Sequence, residues 1–110
     1  MSTAGAVRWA DARPVEMLPG LIRRTLAETA DAMVVEVRAQ AGVDVALHSH
    51  PNQQITYVIS GQVDLTFDGV TYSCTPGDSC AIPGGVEHSA HFPVETVVMD
   101  CFSPPRAEFR

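Results

Sequence analysis

From Gln62 to Phe67 polar and apolar side chains alternate, Gln62-Val63-Asp64-Leu65-Thr66-Phe67, and after Asp68-Gly69 the chain resumes as Val70-Thr71-Tyr72. Successive side chains of a strand point to opposite faces, so the alternation predicts a half-buried strand. The Asp-Gly pair predicts a tight hairpin turn into the next one. Leu21 to Leu26 and Met33 to Ala39 read as further strands, and so does Ile55 to Ile59, which Gln54 opens. Turn-forming residues recur at short intervals at Pro19-Gly20, Gly42, Pro51-Asn52, Ser60-Gly61, Pro76-Gly77-Asp78, Pro83-Gly84-Gly85 and Pro93. No stretch sustains a helical period, only Ala27 to Ala32 has room for a short turn, and Pro104-Pro105 excludes a regular helix there. The pattern predicts an all-β fold, a sandwich or barrel of short strands.

Composition narrows the picture. A chain of 110 residues suits one domain, so residues 1–110 are expected to fold as a single unit without a second catalytic domain. Apolar residues make up 45% and charged residues 18%, the balance of a folded chain. The net charge is −6, and all seven basic residues are arginine. Lysine Schiff-base chemistry is therefore excluded, and with no basic stripe neither nucleic acid nor an anionic membrane is an expected partner. No run is apolar enough to cross a bilayer, and the opening MSTAGAVRWADARP has no secretory pattern, so a cytoplasmic location is expected. Cys74, Cys80 and Cys101 are odd in number and form no CxxC, which predicts reduced thiols that pack as small hydrophobes.

The candidate chemistry lies in histidines. His48 and His50 are two apart, and on a strand both imidazoles would face one side and reach one cation. Gln54 follows the Pro51-Asn52 turn, and His88 lies just past Pro83-Gly84-Gly85. Gln53 competes with Gln54, since a turn at Pro51-Asn52 can shift the parity that favours Gln54. Three imidazoles and an amide oxygen suit one divalent metal, whether nickel, zinc, manganese or iron. His91 has the opposite parity to His88 and is expected to point away from the metal.

Gly42 precedes His48 by six residues, Gly61 follows Gln54 by seven, Gly77 precedes Pro83 by six, and Gly85 precedes His88 by three. This resembles the two cupin motifs, G-x5-H-x-H-x3-E-x6-G at about 42–61 and G-x5-P-x-G-x2-H-x3-N at about 77–92. The resemblance implies a single-domain cupin, a double-stranded β-helix or jelly-roll-type barrel. Gln54 stands where the motif has glutamate and Phe92 where it has asparagine. A neutral ligand leaves the metal more electrophilic and less tightly held, and Phe92 is expected to line the barrel.

Leu18 to Arg24, His48 to Gln54 and Met99 to Phe109 are similar to the small pectin-degradation cupins called KdgF. That resemblance implies an isomerase-like enzyme that converts 4,5-unsaturated uronates, released by pectate or alginate lyases, into linear ketonised sugars. It implies a metal on His48, His50, Gln54 and His88. The family's D-x-F-x3-R pattern falls on Asp100, Phe102 and Arg106, with Phe102 as a wall of the sugar pocket.

The residue types suit the chemistry. Opening the ring removes the C1 hydroxyl proton and adds a proton at C4, which one carboxylate can do, so Asp100 is the candidate acid/base. Arg106 is suited to the uronate carboxylate and a cation to the oxygen freed at C5. Blander roles remain open: Asp100 as a turn-former at a strand end, Arg106 as a solvated tail residue, Phe102 and Phe109 as core or interface aromatics. Cys101 has the opposite parity to Asp100 and is expected outside the lumen. An iron-dependent dioxygenase is the alternative that a wholly apolar pocket would favour, and a sugar-binding sensor ranks last. A homodimer is expected, because small cupins expose a sheet edge and an apolar outer face.

Overall fold

The computed structural model describes residues 5–110, so the first four residues of the expected domain and of the N-terminal segment lie outside the described residues. The strands are β1 (Val15–Leu18), β2 (Leu21–Glu28), β3 (Met33–Ala39), β4 (Val43–His48), β5 (Gln53–Ser60), β6 (Val63–Phe67), β7 (Val70–Cys74), β8 (Ser79–Ile82), β9 (His88–Phe92) and β10 (Thr96–Ser103). Short 3-10 turns at Trp9–Asp11 and Ala107–Phe109 flank them.

Two antiparallel sheets result, one ordered β1-β2-β3-β10-β5-β8 and the other β4-β9-β6-β7. Their inner faces share one core, to which Leu21, Val35, Val58 and Val98 come from the first sheet and Leu65 and Phe92 from the second. This is an all-β jelly-roll barrel. The hairpin at Asp68-Gly69 pairs Phe67 with Val70, and both turn residues have positive φ, 53° and 73°, which that two-residue turn demands. Among the described residues no helix is long and apolar enough to cross a membrane.

The structure departs from the pattern-based expectation in three places. β4 ends at His48, so His50 is not on the same strand but in the turn before β5. Asp100 is not at a strand end: it lies inside β10, paired with Val35 on one side and Thr56 on the other. The 27–32 stretch is split, since β2 runs on to Glu28 and only the following residues turn, with Thr29 N–H donating to the Ala32 carbonyl at 2.8 Å.

Candidate metal centre

His48 and His88 face each other across β4 and β9. The register between these strands shifts from Val45 to His48, and that irregularity turns both residues, three apart in sequence, toward the lumen. His50 arrives by another route. Its turn is pinned by Gly85 N–H donating to the His50 carbonyl at 2.8 Å and by Asn52 Nδ2 donating to the Pro104 carbonyl at 2.7 Å. Gly84 packs so closely on the Pro51 carbonyl that no Cβ fits between them.

The imidazole centroids lie 4.3 Å (His48–His88), 5.0 Å (His50–His88) and 5.9 Å (His48–His50) apart. One ligand nitrogen from each lies within 4.8 Å of the others. Each Nδ1 meets a backbone carbonyl: Ala46 at 2.8 Å from His48, Asn52 at 3.0 Å from His50, Val86 at 2.9 Å from His88. A carbonyl only accepts, so each Nδ1 carries a proton, and a ring that is neutral then presents its Nε2 lone pair. Burial, with smaller contributions from neighbouring positive charge, holds the His50 and His88 pKa values below the usual range and favours this neutral form.

Gln54 extends the same logic. On β5 it points inward and is buried, whereas Gln53 is exposed. Its Nε2 donates to Thr56 Oγ1 at 3.0 Å, which leaves Oε1 facing His50 Nε2 at 3.0 Å. Two acceptors at that distance have no hydrogen between them, and His88 Nε2 is buried without any partner. A cation satisfies all of these atoms at once, so the donor set fits a metal. His48, His50 and His88 are positioned to bind it.

The other candidate residues share the cavity. It measures about 390 Å³, and His48, Gln54, His88, Asp100, Phe102 and Arg106 all line it. Asp100 Oδ1 accepts the Thr56 hydroxyl at 2.7 Å. Burial pushes the Asp100 carboxyl up to about 6, against the opposing pull of the Thr56 and Gln54 hydrogen bonds and the Arg106 charge. Arg106 is not a solvated tail residue: its side chain is 14% exposed, its guanidinium lies 4.0 Å over the Phe109 ring, and its Nε is buried without a partner. Its Nη2 meets Glu108 Oε2 at 3.5 Å. Phe102 is buried and packs edge-on against His50 at 5.6 Å.

Outside the lumen, His91 is exposed and its Nδ1 meets Asp44 Oδ1 at 2.6 Å. Cys101 is an exposed free thiol, while Cys74 and Cys80 are buried free thiols. Two site residues escaped the sequence reading. Thr56 shares the inward parity of Gln54, a signal the sequence carried; Asn52 looked like a turn residue, and nothing local indicates its bond to Pro104.

A cupin domain matches residues 34–101, and the chain belongs to that family. Among solved structures it resembles an RmlC-like cupin from Shewanella frigidimarina, at 28% identity over 99% of this chain and 98% of the other with a TM-score of 0.92. It is also KdgF-like: KdgF from Halomonas sp. is 28% identical over 98% of this chain and 100% of its own, with a TM-score of 0.89. The salicylate 1,2-dioxygenase of Pseudoaminobacter salicylatoxidans shares the fold at 16% identity, over 82% of this chain and 28% of that one, with a TM-score of 0.75. No curated protein matches the chain.

Proposed function

We propose that this metal-binding cupin is an enzyme that opens and ketonises 4,5-unsaturated uronates from pectin or alginate breakdown. The observation that carries the reading is that a carboxyl shifted toward neutrality, Asp100, and a partly buried arginine, Arg106, share one cavity with the three-histidine cluster. The likeness to KdgF supports the same substrate class.

The reaction is an isomerisation in which no atom is gained or lost. The C1 hydroxyl gives up its proton, C1 becomes an aldehyde as its bond to the ring oxygen breaks, and the electron pair leaves an enolate at C5. Protonation at C4 then yields the ketone. Asp100 takes the first proton and supplies the second, and a pKa near ambient pH suits both directions of transfer. Arg106 pairs with the substrate carboxylate, its guanidinium oriented by stacking on Phe109. Phe102 walls the pocket. A divalent cation, nickel, zinc, manganese or iron, on His48, His50, His88 and Gln54 would supply positive charge where the oxygen becomes anionic.

Much of the cavity wall is apolar, including Leu21, Val37, Val45, Leu65 and Phe92, which favours a second reading as an iron-dependent dioxygenase. Asp100 and Arg106 in the same wall favour the uronate. The proposal also covers a cytoplasmic location and a homodimer in which a second copy covers the outer face of β5. The test mixes purified, metal-loaded protein with monomeric unsaturated galacturonate and follows loss of the conjugated double bond. Acceleration over the spontaneous reaction is expected, and an unchanged rate refutes the reading.

A further inference from the structure

Thr56 joins the metal-facing half of the site to the acid/base half. It lies on β5 two residues after Gln54, faces inward at 3% exposure, and pairs with Asp100 on β10 and Cys80 on β8. Its hydroxyl accepts from Gln54 Nε2 at 3.0 Å and donates to Asp100 Oδ1 at 2.7 Å. A hydroxyl has one hydrogen. With that hydrogen given to Asp100, the oxygen must meet a donor from the Gln54 side chain, and the amide nitrogen is the only donor that side chain offers; the Gln54 hydrogen bond to Asp100 favours the same orientation. The amide oxygen is thereby turned toward His50 Nε2. A flipped amide would aim N–H groups at the histidine nitrogens and repel a cation.

We propose that Thr56 is a positioning residue whose single hydroxyl sets both the orientation of the Gln54 amide toward the metal and the direction of the Asp100 carboxylate. The proposal rests on the reading of Gln54 as a ligand and Asp100 as the acid/base. It also accounts for an amide where the cupin motif has a carboxylate. Glutamate at position 54 would confront Thr56 with two acceptors and one hydrogen, whereas glutamine accepts at one end and donates at the other.

The test uses Thr56→Val, which keeps the shape and removes the hydroxyl, and Thr56→Ser, which keeps the hydroxyl. Nickel is titrated calorimetrically into metal-free protein, and steady-state rates are measured on unsaturated galacturonate. Thr56→Val is expected to bind nickel about tenfold more weakly and to lower kcat about tenfold with little change in KM, and Thr56→Ser to restore both. In a Gln54→Ala background Thr56→Val should add no further loss of nickel affinity, although a merely structural defect would add one. Wild-type nickel affinity in Thr56→Val, failure of serine to rescue, or an additive loss each overturns the proposal. Should Thr56→Val fail to fold, Thr56→Ala replaces it under the same expectations. If the wild type itself does not turn over the uronate, the uronate reading falls, and nickel affinity alone decides the role of Thr56.

Discussion

The carboxyl of Asp100 owes its raised pKa to its surroundings. Loss of hydration raises its pKa to about 6 although Thr56, Gln54 and Arg106 all favour the charged form. If it transfers protons, Asp100→Asn should lower kcat by about a hundredfold with little change in KM, whereas Arg106→Ala should chiefly raise KM; steady-state kinetics separate the two. The same shift has a stability consequence in metal-free protein. A carboxyl whose folded pKa is raised contributes stability while protonated and loses it as pH rises through about 6. Metal-free Asp100→Asn should therefore exceed wild type in stability at about pH 8 by up to ~3 kcal/mol, with the difference gone below about pH 4, as read by denaturant unfolding. Equal stabilities across that range would contradict the burial argument. Gln54 was legible at this scale, because strand parity separates it from the exposed Gln53. The inward direction of Asp100 was not, because its environment is made by β3 and β5, which are remote in sequence.

At the scale of elements, the histidines converge through irregularities that a regular strand lacks. Parity along an unbroken strand brings His48 and His50 together on paper. In the molecule a register shift turns His48 inward and a separate turn delivers His50. Alternation patterns cannot locate such a shift, so strand parity brings His48 and His50 together by a geometry that the structure does not use. β2, β3, β5 and the Asp68-Gly69 hairpin were legible, the eight-residue β10 was not among the strands the alternation showed, and β1 and β8, four residues each, were too short to show a period. The His50 turn depends on Gly84, whose backbone suits other residues but whose space does not. Gly84→Ala must push the Pro51 carbonyl away. It should weaken metal binding about tenfold and destabilise the fold by about 1–3 kcal/mol, measured by nickel titration and thermal unfolding. Unchanged nickel affinity would show that the turn does not position His50.

The whole molecule is a sandwich whose two sheets meet at the site. His48 and His88 come from the four-stranded sheet, Gln54 and Asp100 from the six-stranded one, and His50 from the connection between β4 and β5. The β3-β10-β5 order joins distant segments, so hydrophobic alternation shows the strands without their pairing; the architecture was implied only by the resemblance to the two cupin motifs. On the outside, Ile55, Tyr57 and Ile59 stand about half-exposed along β5, with the exposed Cys101 on neighbouring β10. If a second copy covers this face, sedimentation should give a dimer for the wild type and a monomer for Ile55→Arg/Ile59→Arg; a monomeric wild type would contradict it. The proposed chemistry needs one cation shared by ligands from both sheets. Its most direct test is calorimetric titration of nickel into metal-free wild type and His88→Ala. One ion per chain is predicted for the wild type, with affinity reduced at least a hundredfold, on the order expected for losing a direct ligand, in His88→Ala. Equal binding by the two proteins would contradict the metal site and the chemistry built on it.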